Sequence, residues 1–256
     1  MPQAPLTCLQ KLHIRGAYDD APCSWIPILE LLRLSPNLAD LRIQNTSFVD
    51  ADDVDENVVL PNLRRLKCTG GFLEGSSLRW LSAPGLETLT LSPSIFPNTE
   101  PGAIISFLRR SSPPLRELVV SYGYIGEQDF TWFALCTTMS LLDTVSHLEL
   151  NSAMPHILDR LFTILERPPS NALPALHTLI LRNVEPEISP GPSWNGLARA
   201  LTSRLGKLRT VRVILADDEW TLPQEVRSLF AEFLEDGMDI YIGTEGFGGT
   251  NLLAAN

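Results

Sequence analysis

A short apolar phrase returns eight times along the chain: an aliphatic, two variable residues, a second aliphatic, one variable residue, then a third apolar residue. It reads Leu9-Leu12-Ile14, Leu38-Leu41-Ile43, Leu63-Leu66-Cys68, Leu86-Leu89-Leu91, Leu115-Leu118-Val120, Val145-Leu148-Leu150, Leu176-Leu179-Leu181 and Leu208-Val211-Val213. Successive phrases start 29, 25, 23, 29, 30, 31 and 32 residues apart. Within a phrase, alternation places the second and third apolar residues on one face and their neighbours on the other, so each phrase predicts a short strand. Proline stands just ahead of several, at Pro36, Pro61, Pro84, Pro114 and Pro174. There it ends the preceding helix and turns the chain toward extended backbone.

Helical spacing fills the intervals. Residues 24–34 carry Ile26, Ile28, Leu29 and Leu32, with Ser24 as the expected N-cap. Further helices are predicted over 102–110, 128–142, 153–166, 194–205 and 222–234, the last entering through Pro223. Residues 77–81 allow only one turn, and 238–242 read as a closing strand. Strand, turn, helix and return make a βα unit, so neighbouring strands run parallel. Units at such a period stack as an α/β solenoid: a curved parallel sheet inside, helices outside, with irregular repeats of 23–32 residues. This predicts one domain over residues 1–243, about eight repeats plus the closing strand, and a flexible Gly-rich tail over 244–256.

Composition narrows the setting. With 44% hydrophobic residues the chain has ample material for a core, and no apolar run is long enough to span a bilayer. The opening Met1-Pro2-Gln3-Ala4-Pro5 has no basic, apolar leader pattern, which points to an intracellular protein, cytoplasmic or nuclear. Cys8, Cys23, Cys68 and Cys136 are scattered and read as reduced thiols. The net charge of −10 argues against nucleic acid as a partner, because such binding draws on phosphate neutralisation.

Catalytic patterns are absent from the sequence. His13, His147, His156 and His177 form no metal-ligating pair, and no nucleophile elbow occurs. The acidic run from Asp50 to Glu56 lacks the turn glycine of a calcium loop, and the Gly-rich stretch from Gly243 to Thr250 has no lysine for phosphate. No enzyme activity, metal or cofactor is expected.

The strand face opposite the leucines has more to say. On the first three strands it presents Lys11, His13 and Arg15, then Asp40, Arg42 and Gln44, then Arg65, Lys67 and Thr69. Five cations against one carboxylate leave a local excess of four positive charges on an acidic chain. Lys11, His13, Arg15, Arg42, Arg65 and Lys67 are therefore the candidate partner-binding residues, suited to an acidic or phosphorylated protein segment. The plainer alternative is that long basic side chains only solubilise an exposed sheet.

The wording of the repeats adds a resemblance. Leu60-Pro61-Asn62-Leu63-Arg64-Arg65-Leu66, Leu78-Arg79-Trp80-Leu81-Ser82-Ala83-Pro84-Gly85-Leu86-Glu87-Thr88-Leu89 and Ile104-Ile105-Ser106-Phe107-Leu108-Arg109-Arg110 followed by Pro113-Pro114-Leu115 resemble leucine-rich repeats of the ribonuclease-inhibitor-like branch. More narrowly, they resemble the repeat region of basidiomycete F-box-type proteins. The chain departs from the pattern where many such repeats place a buried asparagine: Gly71, Ser94, Gly123, Ala153 and Val184 stand there instead. No F-box is visible. The resemblance implies substrate recognition for an SCF-type ubiquitin ligase, with a Skp1-like adaptor engaged only if an F-box exists upstream. The alternative is a leucine-rich-repeat scaffold or regulator unrelated to ubiquitin.

Overall fold

The computed structural model describes residues 5–16, 23–44, 48–49, 57–70, 77–93, 101–122, 131–184, 192–216, 222–244 and 251–253. The acidic run 50–56, most of the Pro-rich loop 185–192 and residues 245–250 of the Gly-rich stretch lie outside them.

In chain order the elements are β1 (Lys11–Arg15), β2 (Cys23–Ser24), α1 (Ile26–Arg33), β3 (Asp40–Gln44), β4 (Phe48–Val49), β5 (Val58–Val59), β6 (Arg65–Gly70), a 3-10 turn (Ser77–Trp80), β7 (Leu81–Ser82) and β8 (Thr88–Pro93). Then follow α2 (Pro101–Ser111), β9 (Glu117–Ser121), α3 (Thr131–Thr138), β10 (His147–Asn151), α4 (Pro155–Leu165), β11 (Thr178–Val184), α5 (Pro192–Ser203), β12 (Thr210–Leu215), α6 (Gln224–Glu235) and β13 (Asp239–Thr244). Among the described residues, nine strands form a large sheet in the order β1-β3-β6-β8-β9-β10-β11-β12-β13. The fold is mixed α/β, and each apolar phrase supplies one of these strands.

The chain divides into two compact units. The first comprises residues 1–119 and 123–136, the second 120–122 and 137–256.

In the first unit, β1, β3, β6 and β8 pair in parallel so that equivalent phrase positions lie side by side: Leu12, Leu41, Leu66 and Leu89 in one row, Ile14, Ile43, Cys68 and Leu91 in the next. From β3 onward these side chains are fully buried, and Leu12 and Ile14 only half. A strand first in the order has a neighbour on one side, which explains the difference. A backbone device repeats with the phrase. The carbonyl before each strand accepts two N–H groups from the next: Gln10 O from Ala39 and Asp40 (2.8 and 3.0 Å), Ala39 O from Arg64 and Arg65 (2.9 and 3.0 Å). Arg64 O does the same for Glu87 and Thr88, at 2.9 and 3.0 Å.

An asparagine ladder does exist, but ahead of the strands. Asn37 Nδ2 donates to Thr7 O (2.7 Å) and Asn62 Nδ2 to Pro36 O (3.0 Å), each reaching the equivalent point of the preceding unit. The next position in that series is Gly85, where an added Cβ would lie 2.7 Å from Pro61 O. Backbone cannot move aside cheaply at that distance, so Gly85→Ala is expected to cost about 1–3 kcal/mol in chemical denaturation. A stability change within error would show that the turn yields freely.

The second unit repeats the scheme with longer helices. In β10, β11, β12 and β13, Leu148, Leu179, Val211 and Ile240 align, and all are buried. Helix α4 buries Ile157, Leu158, Leu161, Phe162, Ile164 and Leu165 and packs along α5. The register of β11 on β12 shifts between Leu181 and Val184, where Asn183 adopts φ 52°. Helix boundaries follow the sequence closely, except that Trp25 rather than Ser24 holds the N-cap position of α1, without a side-chain cap, and α3 is described only from Thr131 and ends at Thr138, four residues before the expected end at 142. Of the tail expected over 244–256, Thr244 belongs to β13. Asn251 bridges Gly243 in antiparallel fashion, and Leu252 N–H donates to Ile242 O at 2.7 Å. An unpaired strand edge exposes backbone donors and acceptors, and these residues satisfy some of them.

Candidate functional site

The register of the first unit assembles the basic face residue by residue. One row across the strands is Lys11, Asp40, Arg65 and Thr88; the next is His13, Arg42, Lys67 and Thr90; the third is Arg15, Gln44, Thr69 and Ser92. Neighbouring strands stand about 4.8 Å apart, so the six predicted residues form one cluster on one face. Their backbone origin is the phrase itself: His13, Arg42 and Lys67 each sit between two apolar residues of a phrase, Lys11, Arg15 and Arg65 each adjoin one, and alternation turns all six away from the apolar face.

Asp40 organises this cluster. Its carboxylate is nearly buried, with 6% of the side chain exposed. Oδ1 lies 3.3 Å from Arg42 Nε, and Oδ2 lies 3.3 Å from Arg65 Nε. Arg42 Nη2 also donates to Oδ2 at 3.3 Å. Burial works to raise the Asp40 carboxyl, yet the two guanidiniums outweigh it and hold it below the ordinary aspartate value. Sequence reading counted Asp40 as one negative charge to subtract. The structure makes it the anchor that fixes two arginine forks, and only the register of adjacent strands could have revealed that.

The remaining members differ in state. His13 Nε2 lies 2.9 Å from Gln44 Oε1. Lys11, Arg15 and Lys67 make no ion pair among the described residues. These three cations are thus the uncommitted charges of the face, while Arg42 and Arg65 are already half-engaged.

A second polar cluster lies in the other unit. Arg182 Nε donates to Glu149 Oε1 at 3.0 Å, and His147 Nε2 stands 4.0 Å from Glu149 Oε2. Beside it an open depression of about 530 Å³ runs between Glu149, Asn151, Arg182 and Ile214. Its charges offset one another, so it offers no net attraction to an ion. By alternation Ile180 and Ile214 share the face opposite the leucines, yet both are buried; Ile180 is flanked in register by Glu149 and Arg212.

Among the described residues no three His, Cys, Asp or Glu groups are placed to hold a metal ion, and no helix is long and apolar enough to cross a membrane. Cys68 and Cys136 are buried, and burial pushes both thiols up, away from the reactive thiolate.

No protein-family model matches the sequence, and no curated protein matches it significantly. A crystal structure of a protein from Bacteroides fragilis, determined as a structural-genomics target, is similar with a TM-score of 0.54 at 18% identity. The match covers 96% of this chain and 69% of that one. Such a likeness concerns the fold alone.

Proposed function

We propose that this chain is a leucine-rich-repeat solenoid that binds another protein, and that its basic face receives an acidic or phosphorylated segment of that partner. The observation that carries the reading is the row-by-row alignment of Lys11, Arg15, Arg42, Arg65 and Lys67 on one open sheet face. Two of these are held as preformed forks by Asp40, which lowers the ordering cost of gripping an anion. Catalysis has no comparable support, because no side-chain constellation on the described face pairs a nucleophile with a base. By its resemblance to the F-box repeat idiom, the partner is a substrate presented to an SCF-type ubiquitin ligase, whose other subunits perform the chemistry.

The test uses the uncommitted charges. Lys11→Gln combined with Lys67→Gln removes two cations without adding a carboxylate beside Asp40 or Arg42. Affinity capture from cell extract followed by mass spectrometry is expected to lose the specific partner with this variant. With the recovered partner, binding should weaken about 10- to 100-fold and wild-type affinity should fall with added salt. Full retention of the partner by the double variant would remove the basic face from the binding account.

A further inference from the structure

We infer that the docked segment is an α-helix lying across the strands, with acidic side chains at positions i, i+4 and i+7 facing His13, Arg42 and Lys67. This rests on the protein-binding reading above and specifies the partner element that the face fits. The argument is one of spacing. Of the three rows, the one through Asp40 is interrupted by its carboxylate, and the one through Arg15 carries a cation only at its first position. The His13–Arg42–Lys67 row alone presents three basic-type side chains on successive strands.

Three strands at about 4.8 Å spacing set the outer members of that row roughly 9.6 Å apart at the backbone. A helix rises 1.5 Å per residue, so positions i and i+7 lie about 10.5 Å apart, with i+4 between them. An extended segment places alternate side chains about 6.7 Å apart, and its third would overshoot the row by nearly 4 Å. Lys67 at one end has slack to absorb part of such a mismatch, but Arg42 in the middle is tied to Asp40 through Nε and Nη2, and the short His13 at the other end lies against Gln44. A helix about 10 Å wide also fits between the flanking cations, since Lys11 and Arg65 lie on one side of the row and Arg15 on the other. The acidic stripe is short. Beyond β6 the face turns neutral at Thr88, Thr90 and Ser92, and Thr88 Oγ1 donates to Glu117, which would repel further carboxylates. About two helical turns of acidic contact are therefore all the face supports.

Fluorescence anisotropy with the full chain and three labelled peptides tests this. One is a side-chain-linked helix with Glu at i, i+4 and i+7; the second is a linked helix with the same Glu residues spread around its circumference; the third, matched in length and net charge and with proline replacing some neutral residues, is an extended peptide with Glu at alternate positions. The striped helix is expected to bind at least about tenfold more tightly than either control, a gap of one decade in Kd. Lys67→Glu should abolish that preference. Equal or tighter binding of the extended peptide overturns the helix assignment and leaves the basic docking face standing. If no acidic peptide binds in any geometry, both this inference and the docking reading fall.

Discussion

Replacing Arg204 with methionine is expected to cost about 3–4 kcal/mol of stability, because hydrogen bonds to a charged group contribute about 1.5–3 kcal/mol each and add incompletely. Arg204 follows α5 and is 1% exposed, an unusual position for a guanidinium. Nε donates to Leu165 O at 2.9 Å, Nη1 to Leu173 O at 3.2 Å and Nη2 to Arg167 O at 3.3 Å. These carbonyls close α4 and the turn that follows it, where Leu173 is held at φ 48°. Methionine fills similar space and offers no donor, so three carbonyls lose their shared partner. Release of the guanidinium from its desolvated site offsets part of the loss, which is why the figure is not larger. Arg204→Lys should fall between, since one ammonium cannot reproduce a planar fork across three acceptors. Urea denaturation followed by circular dichroism measures it; a methionine variant within about 0.5 kcal/mol of wild type would show that the turn is held by packing alone.

Arg110 performs the same task in the first unit. From the last turn of α2 it donates through Nε to Leu81 O at 3.0 Å and through Nη2 to Leu78 O at 2.8 Å. Neither arginine was legible as a clamp. In sequence a basic residue in a last helical turn reads as a solvated end that favours the helix dipole. Burial of such a residue depends on how tightly the next unit stacks, which no local pattern encodes.

What the sequence did encode was the alternation. The period-2 pattern defines which strand face is apolar, and the constant position of the phrase within each unit defines register, so Leu41, Leu66 and Leu89 align from the sequence alone. The same reasoning placed the six basic residues on one face. It missed what the face does to itself. Whether Arg42 points to solvent or to Asp40 depends on a competition between solvation and pairing that alternation does not express. Alternation likewise assigns Ile180 and Ile214 to the open face although both are buried, since pattern counts position and not the bulk of the neighbours in adjacent strands. The asparagines of Pro36-Asn37-Leu38 and Pro61-Asn62-Leu63 were visible as a repeated motif. Their partners were not, because each bonds a carbonyl 30 or 26 residues away.

Removing both arginines from Asp40 is expected to destabilise the first unit and to invert its response to acid. With Arg42→Met and Arg65→Met together, the carboxylate stays buried with neither guanidinium. Breaking a buried pair costs about 3–5 kcal/mol, but Arg42 and Arg65 are 54% and 57% exposed, so solvent screening brings the expected loss to about 2–3 kcal/mol. The sign of the pH dependence follows from linkage. In the wild type the folded carboxyl titrates below its unfolded value, so its contribution is complete above about pH 4 and fades as pH falls through the lower folded value. In the variant, burial acts unopposed and raises the folded value above the unfolded one. The folded state then holds the proton more tightly, and stability increases on acidification from neutral toward about pH 4. Urea midpoints for wild type, the double variant and Asp40→Asn across this range separate the effects. Asp40→Asn should remove this titration from both backgrounds, and parallel pH profiles for wild type and the double variant would refute the anchor. The same coupling explains why reversing Arg42 and Arg65 is a poor probe of binding: three carboxylates would then converge at one point, and lost capture would report a damaged fold. Lys11 and Lys67 make no ion pair with Asp40, so replacing them with neutral glutamine reads the surface alone.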